Sequence, residues 1–214
     1  MRSIPRIGAL AALVMMIVSA AAWGQALPKP AEFYFDEDRL AVQPLVVEQG
    51  SDEAAVKRLR QLAERGGRNA DKAHAQLAGL LMASGRVDNG KALYAQLLQR
   101  LPETHALRRA VRYRYGWDLY RAGEPQAALE QWQPLVAAGG TTPAWAPPTL
   151  ALVLWKLDRR DEARHWYAAA VRSEPALWSS TTRYATLLPD WREDERATLA
   201  EVQAAWAADP PQWP

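Results

Sequence analysis

Three stretches of this sequence line up on a turn residue, and that register limits what the chain can fold into more than any other feature. They read LAGLLMASGRVDNGKALYAQLLQRLP (77–102), YGWDLYRAGEPQAALEQWQPLVAAG (115–139) and LALVLWKLDRRDEARHWYAAAVRSEP (150–175). Gly85, Gly123 and Asp158 serve as references, 38 and then 35 residues apart. Four residues before each stands Leu81, Leu119 or Leu154, and seven before each a small residue, Ala78, Gly116 or Ala151. Five after come Gly90, Ala128 and Ala163, and nine after come Tyr94, Trp132 and Tyr167. Apolar residues at three- and four-residue steps on both sides of a turn predict two amphipathic helices per unit. The small residues permit close approach of the paired helices, and the aromatic fills the space above them. Glycine suits a left-handed helix C-cap, aspartate tolerates the same backbone region, and Pro102 and Pro175 end second helices.

This pattern resembles the tetratricopeptide repeat, a helix–turn–helix unit of about 34 residues. The resemblance implies an all-α helical-hairpin solenoid with three units at 71–104, 109–142 and 144–177, filling 69–177. Departures exist: where the family carries a Trp near each unit's start, this chain has His74, Arg112 and Pro147. Ahead of the units, 51–68 reads as a half-repeat helix with Ser51 as its N-cap. Behind them, 178–214 reads as a degenerate capping repeat and tail, with Tyr184, Ala185, Leu188, Ala197 and Ala204 in hairpin register. Glu201 replaces the large aromatic there, as the polar outer face of a terminal unit requires. Asp190 followed by Glu193 reads as a capping box opening the last helix.

The front of the chain is different. Arg2 and Arg6 precede an apolar run from Ile7 to Trp23, followed by Gly24-Gln25-Ala26, which reads as a signal peptide over 1–26 cut after Ala26. The alternative is an uncleaved inner-membrane tether, although that run spans roughly 26 Å against a hydrocarbon core of about 30 Å. Either way the body leaves the cytoplasm and is periplasmic or secreted. Residues 27–50, punctuated by Pro28, Pro30 and Pro44 and carrying Phe33-Tyr34-Phe35, read as an extended arm.

Charge then narrows the partners. The chain has 26 Lys and Arg against 24 Asp and Glu, so loss of Arg2 and Arg6 leaves a formally neutral body. A neutral body lacks the positive field that binding a phosphate backbone requires, which argues against nucleic acid. With no cysteine, disulfides, thiolate catalysis, Cys-ligated zinc and N-terminal lipidation are excluded. His74, His105 and His165 have no metal-ligand spacing, and no HExxH, GxSxG, Walker or GxGxxG pattern occurs. The acidic runs Asp36-Glu37-Asp38 and Glu193-Asp194-Glu195 read as helix starts or solvated faces. The expectation is therefore no catalytic residue, no metal and no cofactor.

In tetratricopeptide arrays the first helix of each hairpin lines a concave groove. Carried over by position, the resemblance implies a groove of Tyr113, Trp117, Tyr120 and Arg121 from the second unit. The third contributes Trp145, Leu152, Trp155 and Lys156, and the first Lys72, Gly79 and Met82. Aromatics and arginine dominate interface energies, and a cation flanked by aromatics suits a carboxylate or an extended peptide. Alternatively Trp117 and Trp155 fill the solenoid core, which periodicity alone does not separate. The acidic arm also complements Arg121 and Lys156, so Phe33-Tyr34-Phe35 is a candidate to lie in the groove. The plainer alternative has the arm cover the flank of the first helix.

The reading is an exported adaptor or scaffold that binds an envelope-located protein or peptide through an aromatic groove over 113–156. The alternative is a constitutive structural subunit of an envelope assembly, with an enzyme as the remote third. Membrane contact follows only if the leading segment is retained.

Overall fold

All three reference residues adopt left-handed backbone, with φ of 83° at Gly85, 83° at Gly123 and 58° at Asp158. Each closes its helix with the same two hydrogen bonds. In the first, Gly85 N donates to Met82 O (3.1 Å) and Arg86 N to Leu81 O (2.9 Å). The pairs Gly123–Tyr120 with Glu124–Leu119, and Asp158–Trp155 with Arg159–Leu154, repeat it. These bonds satisfy carbonyls that a helix end otherwise leaves open. Identical turns at 85, 123 and 158 make the register of the sequence a register of the structure.

The computed structural model describes residues 36–137 and 141–212 together with Leu27 and Pro30, and among them the chain is all-helical. The helices are α1 (Arg39–Val42), α2 (Glu53–Arg65), α3 (Ala70–Ala83), α4 (Val87–Arg100), α5 (Ala106–Arg121) and α6 (Pro125–Ala137). They continue with α7 (Ala146–Lys156), α8 (Arg160–Ser173), α9 (Pro175–Trp178), α10 (Tyr184–Leu187) and α11 (Glu193–Ala208). The pairs α3–α4, α5–α6 and α7–α8 pack as hairpins, and α2 packs on α3. None of the described helices is long and apolar enough to cross a membrane. The segment read as a signal peptide, and Phe33-Tyr34-Phe35, lie outside the described residues.

Packing explains the small and the aromatic positions together. Tyr94, Trp132 and Tyr167 are fully buried. A Cβ on Gly116 would run into the Trp132 indole, so only glycine lets α5 and α6 approach this closely. Each aromatic also spends its polar atom inside: Tyr94 Oη donates to Asp118 Oδ2 (2.6 Å), Trp132 Nε1 to Tyr113 O (3.0 Å) and Tyr167 Oη to Trp178 O (2.6 Å). Buried polar groups placed this way fix one packing arrangement because an unmet partner is costly. Helix α7 is the centre of the core, with Leu150 to Leu154 wholly inaccessible.

Four expectations are corrected. Helix α2 is capped by Asp52, whose Oδ1 accepts from Ala55 N at 2.8 Å, and Ser51 is exposed outside it. Helix α11 opens two residues later than a box on Asp190 and Glu193 demands: Glu195 Oε2 accepts from Arg192 N at 2.7 Å. Residues 178–211 form no hairpin; α9 and α10 are single turns and α11 alone is a full helix. The arm is not extended throughout, because Asp38 turns it with φ of 45° and caps α1, which packs on α5.

Candidate functional site

The face assigned to the groove is aromatic, and the chain's own ends cover it. On α5, Tyr113 meets Trp145 edge-on with centroids 5.0 Å apart. Trp117 contacts Tyr120 (6.1 Å), Trp132 (5.2 Å) and Trp191 (4.9 Å). Trp132 comes from the partner helix α6, while Trp191 comes from the segment just before α11. Trp117 is therefore sandwiched between the repeat core and the tail, which leaves it 5% exposed. Offset and edge contacts of this kind add about 0.5–1.5 kcal/mol each beyond area burial.

Two acidic side chains occupy the cationic positions. Glu195 lies buried, and Arg121 clasps it with Nε to Oε1 (2.8 Å) and Nη2 to Oε2 (3.1 Å), while Nη2 also reaches Asp190 O (3.0 Å). The guanidinium sits 5.2 Å from the Trp117 ring centroid, so the cation is held by a ring below and a carboxylate beyond. At the other end Asp38 is buried, taking hydrogen bonds from Arg109 Nε (3.1 Å) and Nη2 (2.5 Å) and from Trp145 Nε1 (3.1 Å). Burial alone would raise the Asp38 pKa. The bonds from Arg109 and Trp145, with the Arg109 charge, outweigh it and hold the carboxyl below its ordinary value.

Helix α11 crosses the hairpins at their edge. It starts at the C-terminal end of α5 through Glu195, passes that of α7 where Trp155 Nε1 donates to Glu201 Oε2 (2.8 Å), and ends at α8 where Arg164 holds Asp209. Leu199 and Val202 on its inner side are fully buried. Glu201, read as a polar outer position, is exposed and still ties the helix to Trp155.

The expected groove residues accordingly divide. Trp117, Trp145 and Leu152 are buried and make no open wall. Of the two tryptophans for which core filling is the alternative, it describes Trp117, on which Trp191 lies, and not the half-buried Trp155; Asp38 lies on Trp145. Tyr113, Tyr120 and Arg121 are half-buried in the seam, and burial first, then Glu195 and Asp194, pushes the Tyr120 pKa up. Trp155 is half-buried, with the Arg160 guanidinium 3.8 Å from its ring centroid, and Lys156 is exposed. The first unit's Met82 is buried. The arm's charge pairing also differs: Asp38 takes Arg109 instead of Arg121 or Lys156, and among the described residues Glu37 pairs with Arg39.

Sequence reasoning missed Arg109, Asp38, Trp191 and Glu195. Arg109 carried a signal, being four residues before Tyr113 and hence on the same stripe of α5. Asp38 and Glu195 were visible as members of the two acidic runs, though not as partners of Arg109 and Arg121, and Trp191, outside the repeat register, carried no signal. The histidines stay apart: His74 is on α3, His105 caps α5 by accepting from Leu107 N (3.2 Å), and His165 is on α8. Among the described residues no cluster of acidic and histidine side chains could hold a metal. Comparison with family models, with curated proteins and with solved structures gives no match.

Proposed function

We propose that this chain is an exported, tetratricopeptide-like helical scaffold that binds a partner protein and catalyses nothing. The observation that carries the reading is the seam itself. A run of aromatics backed by guanidiniums takes the carboxylates Glu195, Asp38 and Glu201 through Arg121, Arg109 and Trp145, and Trp155. That chemistry suits an acidic segment, and here the segments seated on it belong to the chain. A partner acting in exchange would meet the part still reachable, at Arg121, Trp155 and Lys156, and would compete with the first turns of α11. Affinity would come from aromatic burial, with Arg121 setting orientation.

A second reading, a constitutive structural subunit of an envelope assembly, is favoured by the burial of Trp117, Trp145 and Leu152. A face already closed is a rigid part, and its partner would attach elsewhere. The two separate by affinity capture from envelope extract with residues 27–214, beside a variant carrying Trp155→Ala and Lys156→Ala. Both proteins must show equal helicity and melting. The adaptor reading expects a partner held by the first and lost by the second. Equal capture by both removes the seam as the binding face, and degradation of the chain without its partner identifies an obligate subunit.

A further inference from the structure

Between successive second helices, each hairpin array leaves a furrow above the first helix. The repeat register shows how each furrow is filled. Eleven residues before the turn reference stand His74, Arg112 and Pro147; eight before it, Leu77, Tyr115 and Leu150; eight after it, Leu93, Gln131 and Trp166. Above α5, Arg112 bridges to Gln131 Oε1 (3.1 Å), and Tyr115 stacks on Tyr94 with centroids 4.4 Å apart. On α8 the equivalent position is Trp166, which is 2% exposed. Above α3, Leu77 stands where the second unit has Tyr115 and Leu93 where the third has Trp166, and a cavity of about 500 Å³ stays open between α2 and α4.

Leu77, Leu81 and Leu93 supply its apolar lining, and Arg60, His74 and Arg100 stand among the polar groups around them. Ligand sites of small molecules are concave, mostly apolar and about 300–1,000 Å³ in size, with a few polar groups to fix orientation. Arg60 is exposed and forms no salt bridge among the described residues, while Arg100 shares its charge with Asp71 at 2.6 Å. Glu64, one turn after Arg60, is the acid in the lining. Burial first and the Arg100 charge second lower the His74 pKa, which favours the uncharged ring beside the apolar part.

From this unfilled register position we propose that the α2–α3–α4 cleft binds a small amphipathic carboxylate, its acyl or aryl body against Leu77, Leu81 and Leu93 and its head at Arg60. The size of the cavity favours a free small molecule over a helix of a partner protein. The site is separate from the aromatic seam, so either assignment can fail without the other.

Dodecanoate and dodecanol, titrated by calorimetry into the full chain, test it. Saturable one-to-one binding of dodecanoate is expected, with the alcohol weaker. Leu93→Trp, which places in the first unit the residue the third has at Trp166, should weaken dodecanoate at least ten-fold. Ala92→Phe, at the exposed edge of the same lining, should do likewise if the tryptophan variant fails to fold. Arg60→Gln should weaken the carboxylate several-fold and leave the alcohol unchanged. Absence of saturable binding overturns the proposal. So does binding unaltered by either filling variant, which would place the acyl chain elsewhere, including on the apolar run Ile7–Trp23.

Discussion

Arg121 on α5 and Glu195 on α11 stand 74 positions apart and meet in a two-point ion pair over the Trp117 ring. The pair is what fixes the C-terminal helix to the second hairpin, since Glu195 is 2% exposed and has no water to fall back on. Removing one partner of a buried pair costs about 3–5 kcal/mol because the other charge is left without compensation. Arg121→Ala should therefore lower unfolding free energy by about that amount in urea titrations. Arg121→Met with Glu195→Leu should recover most of it. A loss of under about 1 kcal/mol in Arg121→Ala would show that α11 is held by its other contacts, among them the burial of Leu199 and Val202 and the Trp155–Glu201 bond.

The left-handed turn at Asp158 gives a prediction of opposite sign. Its two counterparts are glycine, and a non-glycine residue in that region costs roughly 1–2 kcal/mol. Asp158 offsets little of this through its exposed contact with Arg160, 2.8 Å long but open to solvent. Asp158→Gly should raise stability by about 0.5–1 kcal/mol, and Gly123→Val should lower it by more. Both are read from denaturation midpoints at unchanged denaturant slope.

Gly116 tests whether the small positions are required by contact. Its α-carbon faces the Trp132 indole with no room for a methyl group, and the neighbouring Trp117 ring leaves the indole nowhere to move. Gly116→Ala should cost about 1–3 kcal/mol by overpacking, despite the better helix propensity of alanine. Combining it with Trp132→Phe should return part of the loss. A neutral Gly116→Ala would mean that α5 and α6 can separate freely.

These positions also show where the sequence is legible. Gly85, Gly123 and Asp158 announce themselves because a turn is a local event, decided within six residues. Tyr94, Trp132 and Tyr167 do so because a helical pair forces one spacing on whatever fills it. The aromatic stripe of α5 was visible for the same reason. Its covering was not, because nothing near Tyr113 or Trp117 encodes Trp191, Glu195 or Asp38. A helical stripe looks alike whether water or a distant segment lies over it. The capping of α2 and α11 slipped by a position or two because several neighbouring polar side chains can each serve, and only the final packing chooses among them.

The His74 ring adds a pH dependence with a definite sign. Its folded pKa lies below the ordinary value near 6.5, through burial first and the Arg100 charge second, with Asp71 opposing. As pH falls, the unfolded chain takes up the proton before the folded one does. This contribution to stability is therefore complete above about pH 6.5 and is lost as pH falls through that value toward the folded pKa. Urea titrations at pH 7.5 and 5.5 should show the chain less stable at the lower pH. His74→Leu should narrow that gap, because leucine cannot take up the proton. The Nε2 atom is also buried without a hydrogen-bond partner, so replacing it with carbon should raise stability at both pH values. An unchanged gap in His74→Leu would assign the pH dependence to a group other than His74; Asp38, held below the ordinary carboxyl value by Arg109, is ionised in both states over this range and adds nothing to it.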